Sequence, residues 1–146
     1  MARTKARDRR QGGQTLVEFA LILIPFLLIT MGIFDFGRAI LDYNMISNAA
    51  REGARVGIIS TRTNAQICEA VITHVSLPGV SGTGCTSGGL TTTIVSRGSP
   101  PTLVANSGSP VVVRVQYVFT PITPLIGDII GTSLTLTAQS SMYVEN

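Results

Sequence analysis

Apolar and polar positions divide this chain into a long uncharged run, a helical stretch and a tract of alternating residues. No residue is charged from 19 to 34, and with Leu16, Val17 and Glu18 the apolar stretch reaches Phe34 before meeting Asp35. As a helix at about 1.5 Å per residue, these 19 residues span roughly 28 Å, close to one hydrocarbon core. Pro25 removes a backbone donor and crowds the carbonyl of Leu21, so a kink or local loosening is expected there. Gly32 adds a second soft point.

Helical spacing continues beyond Asp35. Phe36, Ile40, Tyr43, Ala50, Ala54 and Gly57 recur on one face, with Arg38, Asp42, Arg51, Glu52 and Arg55 between them. An amphipathic helix over residues 36–59 is therefore expected, continuous with the apolar one. The small residues Ala49, Ala50, Gly53, Ala54 and Gly57 would admit a closely packed helix or sheet, as small-xxx-small faces do in lipid. Glycine costs about 1 kcal/mol of helix propensity, which that packing must offset. Glu52 and Arg55 stand at i,i+3 and form a helix-surface pair worth only a few tenths of a kcal/mol.

Thr63-Asn64-Ala65-Gln66 fits a capping box for a second, short helix. Ile67, Val71 and Val75 mark its inner face, Cys68 and Ile72 lie beside them, and Pro78-Gly79 ends it. Residues 81–89 are rich in Gly, Ser and Thr and read as loop. The remainder reads as β. Residues 90–96 carry Thr, Ile and Val, Ser99-Pro100-Pro101 is a break, and residues 106–110 are a turn. Val111, Val113, Val115, Tyr117 and Phe119 alternate with polar or mixed neighbours, giving a strand with one buried face. Leu134, Leu136 and Ala138 mark a last strand that can extend to Val144. Between them, Pro121 and Pro124 exclude a central strand, because each lacks a ladder donor. The apolar residues that follow, through Ile129 and Ile130, can cap the core, touch a membrane surface or form a partner patch. The fold class is thus α+β: a long N-terminal helix, a short second helix and a small antiparallel sheet.

Composition sharpens this picture. Charged residues are 13% of the 146, against a usual figure of about 25%. The net charge of +3 is local: Arg3, Lys5, Arg7, Arg9 and Arg10 against Asp8 give +4 before Gln11, leaving −1 for the rest. A basic tail beside an apolar run sets topology, with Lys and Arg kept on the cytoplasmic side. It gives little support to nucleic-acid binding, which needs a basic patch on the folded domain. A removable secretory signal fits the start but not the end, where 33–38 offers no small-x-small cleavage pattern.

Glu18 is the anomaly in this run. A carboxylate at the centre of a spanning helix costs roughly 2.5–3.5 kcal/mol, less near its end. Gly13 precedes it by five residues. Basic leader, Gly13, Glu18, Phe19 and the apolar helix together resemble the class III signal of type IV pilins and pseudopilins. That resemblance implies a prepilin peptidase cutting between Gly13 and Gln14, with Glu18 fifth in the mature chain. Cleavage would expose an amine at Gln14, and Glu18, near a helix N-terminus where negative charge is favoured, could pair with a neighbouring subunit's amine. The simpler alternative is a glutamate snorkelling to the headgroups.

A longer set of motifs is more specific. Gly13-Gln14 with Val17-Glu18-Phe19, Gly37-Arg38-Ala39, and Asn48-Ala49-Ala50-Arg51-Glu52-Gly53-Ala54-Arg55 resemble the TadE-like family of Flp (tight-adherence) pilus proteins. Looser likeness extends through Pro121 to Leu125 and the closing 133–145 segment. The resemblance implies a pilin-like minor subunit or pseudopilin acting in assembly of a Flp-type pilus or related secretion apparatus. Its implied partners are the cytoplasmic membrane, a prepilin peptidase, other pilin-like subunits and pilus assembly proteins, with no nucleic acid and no cofactor. The chain then divides into a cytoplasmic leader (1–13), a transmembrane helix (14–35), its amphipathic continuation (36–59) and an extracytoplasmic α+β domain (60–146). The alternative is an uncleaved membrane-anchored adhesion or scaffold protein.

Cys68 and Cys85 are the only cysteines, both on the expected outer side, where an oxidising compartment permits a disulfide. Closing a loop of that length is worth about 3 kcal/mol; the alternative is two separate thiols. An enzyme is not expected. His74 is the only histidine and has no metal-ligand partners at suitable spacing. No nucleophile elbow or phosphate-binding glycine motif is found in its required context.

Overall fold

The computed structural model describes residues 11–59, 61–97, 110–123, 127 and 131–144. The basic tail, the break at 99–101, most of the 106–110 turn, and Pro124, Ile129 and Ile130 lie outside the described residues.

Helix α1 (Gln11–Gly57) is a single element of 47 residues. It remains helical through Pro25, so the proline removes one intrahelical donor without ending the helix. Two environments follow one another along it. Its first half is bare: Leu16, Phe19, Leu21 and Ile24 are 62–71% exposed. This part is long and apolar enough to cross a membrane, and residues 14–35 alone rise roughly 33 Å. Its second half is docked on a small domain.

That domain is a helix α2 (Asn64–Thr73) and an antiparallel sheet of β1 (Thr86–Ser87), β2 (Leu90–Arg97), β3 (Pro110–Phe119) and β4 (Leu134–Tyr143). The sheet is open and its strand order follows the chain, β1-β2-β3-β4. The fold is α+β, as the periodicity predicts, and is consistent with the pilin-like arrangement that the resemblance implies. β3 alternates as expected, with Val111, Val113, Val115, Tyr117 and Phe119 buried. These side chains meet Ile46, Ala49, Ala50 and Ala54 of α1 and Ile67, Val71 and Ile72 of α2 in one core. The capping box is present: Gln66 N–H donates to Thr63 Oγ1 at 3.3 Å, and Thr63 N–H donates to Gln66 Oε1 at 3.0 Å.

Three expectations need correction. α2 stops at Thr73 rather than at Pro78-Gly79. Thr73 Oγ1 donates back to the carbonyls of Glu69 and Ala70, and His74 Nδ1–H donates to Ala70 O at 2.8 Å, using carbonyls of the last turn. The segment before Pro78 then carries no regular element, in keeping with the bias of pre-proline residues away from helix. Second, the 81–89 tract is not all loop: Thr86 and Ser87 pair with Thr91 and Leu90. Gly88 and Gly89, with φ of 52° and 80°, supply the two left-handed positions of a two-residue hairpin turn.

The third correction concerns the face of α1. Phe36, Ile40 and Tyr43, expected inside, are 68%, 45% and 46% exposed. Asp42, expected outside, is 8% exposed, and Asp35, where the apolar run ends, is 5% exposed. The buried seam runs through 35, 39, 42, 46, 49, 50, 53, 54 and 57, and its spacing is regular; only its residue types misled.

Candidate functional site

The sequence-derived site residues fall into separate groups along α1. Gly13, Gln14, Glu18 and Phe19 lie on its exposed first turns. Gln14 Nε2–H donates to Glu18 Oε1 at 3.2 Å, one turn along the helix. Phe19 is 64% exposed. About 45 Å further on, by helical rise, is the Asn48–Arg55 stretch. The two groups are not brought together by the fold.

Within that second group the residues do different things. Asn48, Arg51 and Arg55 face outward, and Arg55 pairs with Glu52 at 3.6 Å. Gly53 faces inward: a Cβ there would stand 2.5 Å from Val71 Cγ2 and 3.3 Å from Val113 Cγ1. Gly57 is equally tight against Val111 Cγ1, at 2.6 Å. The small residues thus set the distance at which α1 meets both α2 and β3. Cys68 and Cys85 are joined as a disulfide, Cα to Cα 4.8 Å, tying α2 to the β1 hairpin.

Where the apolar run ends, α1 carries a cluster that the sequence analysis did not single out. Asp35 Oδ1 accepts from Ile122 N–H at 3.0 Å and Oδ2 accepts from Thr123 N–H at 2.8 Å. One carboxylate therefore fixes the loop after β3 to the helix. Arg38 lies 3.7 Å from Asp35 Oδ1, and its guanidinium sits 5.3 Å from the centroid of the Phe119 ring. Asp42, a further turn along, is buried, and its Oδ2 has no hydrogen-bond partner. Burial pushes the Asp42 carboxyl above its ordinary range, partly opposed by Arg38. Burial first, and Asp42 second, raise the Tyr117 hydroxyl. The signal was available in the 35, 38, 42 spacing, which places all three on the face that later carries Ile46 and Ala49.

Residues 13–55 match the family described as TadE-like protein. Over that stretch, the chain is a member of the TadE-like family. No curated protein and no solved structure matches it. The TadE-like segment covers the free half of α1, the Asp35–Asp42 cluster and the glycine seam as far as Arg55. Membership is consistent with a role in pilus or secretion assembly. Among the described residues, no group of three or more His, Cys, Asp or Glu side chains is placed to hold a metal ion.

Proposed function

We propose that this chain is a minor pilin or pseudopilin of a Flp-type pilus or related secretion apparatus. It is inserted through α1 with the basic tail inside and the α+β domain outside, and is trimmed between Gly13 and Gln14 by a prepilin peptidase. Its other partners are pilin-like subunits and pilus assembly proteins of the same system. The observation that carries this reading is the TadE-like match, which begins at the glycine of the proposed cut and includes Glu18. The bare first half of α1 supports it, since a filament subunit needs an apolar helix free to leave lipid and pack against its neighbours. Glu18 then acts as a register marker: its carboxylate, held by Gln14 Nε2–H, is one turn from the amine that cleavage would create. Pairing of that carboxylate with a neighbour's amine removes an unpaired charge from an apolar surface.

One observation favours the second reading, an uncleaved anchored adhesion or scaffold protein. The backbone is helical across Gly13 and Gln14, so a peptidase must unwind a turn before cutting. Mass spectrometry of the chain purified from membranes decides between them. An N-terminus at Gln14 is expected, and an intact basic tail would rule out processing. Glu18→Ala is expected to leave membrane insertion unchanged and to reduce piliation at least several-fold; full piliation would remove the register role.

A further inference from the structure

The end of the sheet nearest the membrane-length segment does not close against α1. A groove of about 230 Å³ opens there between Gly32, Phe36 and Ala39 of the helix, Phe119 and Leu134 of the sheet, and Pro121 just after β3. Its volume is below the roughly 300–1,000 Å³ of pockets that hold drug-sized ligands. A space of that size holds an alkyl chain end or a single ring. The polar atoms of Asp35, which also lines it, are occupied by the amides of Ile122 and Thr123.

The groove is continuous with a collar of exposed apolar side chains. Ile33, Phe34 and Phe36 are 67–68% exposed around the helix, and Ile122 on the facing loop is 71% exposed. Beside the apolar wall the Arg38 guanidinium lies over the Phe119 ring and is paired with Asp35 at 3.7 Å. Position selects the alkyl chain of a lipid as the occupant. Gly32 is inside the 14–35 segment, so a bilayer that surrounds the helix there also fills the space beside it.

We propose that this groove seats an acyl chain of the leaflet on the domain's side, and that the domain rests on the membrane through Ile122. The proposal depends on α1 spanning the bilayer, as the functional reading has it. Seating the domain in this way fixes its height on the membrane and shields the collar from water before assembly.

The chain has no tryptophan, so a single introduced indole reports alone. The full chain is reconstituted in phosphatidylcholine–phosphatidylglycerol vesicles with or without bromine on the acyl chains. Ile24→Trp, in the middle of the span, tests insertion itself. Ile122→Trp tests contact with lipid, and Tyr143→Trp, at the far end of β4, is the aqueous reference. Bromolipid is expected to quench the indoles at 24 and 122 at least twofold and the one at 143 not at all. Quenching at 24 without quenching at 122 overturns the lipid seat and leaves the anchor intact. No quenching at 24 overturns the membrane reading as well. An indole at 122 shielded from both bromolipid and aqueous iodide reports a protein occupant, which also overturns the proposal. Ala39→Met, which fills the groove with a flexible side chain, should at least halve quenching at 122 and leave that at 24 unchanged. Unchanged quenching at 122 means contact with the collar alone and overturns the seat.

Discussion

Gly53 and Gly37 are glycines of one helix with opposite demands on them. A Cβ at 53 meets Val71, whose β-branched side chain has little rotamer freedom to move aside. At 37 it meets nothing within 4 Å. Gly53→Ala should therefore lower stability, because overpacking costs about 1–3 kcal/mol while the helix propensity gained is at most about 1 kcal/mol. Gly37→Ala should raise it by roughly 0.5–1 kcal/mol. Thermal melts of the two variants side by side are expected to move in opposite directions. Asp42 makes a prediction in pH. Its carboxyl is raised in the folded state, so the native chain binds a proton more readily than the unfolded one. Stability contributed by that proton is full below the ordinary aspartate range near ~4 and is lost as pH rises through the folded value. The stability of Asp42→Asn relative to the parent should accordingly increase from pH 4 to pH 7, measured by denaturant titration. A flat difference would mean that Asp42 is solvated.

The elements differ in how openly the sequence declares them. β3 and β4 announce themselves by period-2 alternation, because one face is buried and the other is not. The start of α2 is equally plain, since a capping box is a local chemical arrangement. β1 was hidden by its length: two residues carry no period, and only Gly88-Gly89 marked the turn that forms it. The inner face of α1 was misread for a physical reason. A carboxylate on an amphipathic helix normally points to water, and the interactions that draw Asp35 inward come from backbone amides 87 and 88 residues away. No local pattern encodes such a partner. The disulfide makes the element-scale prediction. Cys68→Ala with Cys85→Ala should cost about 3 kcal/mol, the entropy of a loop of this length. Hydrogen exchange should localise the loss, because β1 has only two paired residues of its own to keep the hairpin against β2.

For the whole molecule, the TadE-like motifs were legible and the joint was not. Gly13, Glu18 and the Asn48–Arg55 stretch stand out as residue types at fixed offsets. The groove and its collar arise only when the loop after β3 returns to the helix. That return depends on one side chain. Asp35→Ala leaves two amides without acceptors and should destabilise the joint by roughly 2–4 kcal/mol, two hydrogen bonds to a charged group being lost. Exchange at the Ile122 and Thr123 amides is expected to speed up markedly in that variant, while the β2–β3 ladder stays protected. Asp35→Asn, which keeps one acceptor oxygen, should lie between.

The Asp35 bonds also have a consequence in time. The carboxylate belongs to the first quarter of the chain, and its partners to the last. β4, which follows them, pairs along the whole of β3. The Asp35 end of α1 therefore waits for the segment after β3, whereas the Gly53 and Gly57 end can already meet α2 and β3. A chain shortened before residue 122 can pack α1 on α2 and β3 but cannot make the Asp35 bonds. Completion of the domain and closing of the Asp35 joint become a single event, so an unfinished chain packs on its helix without the joint that a finished one has.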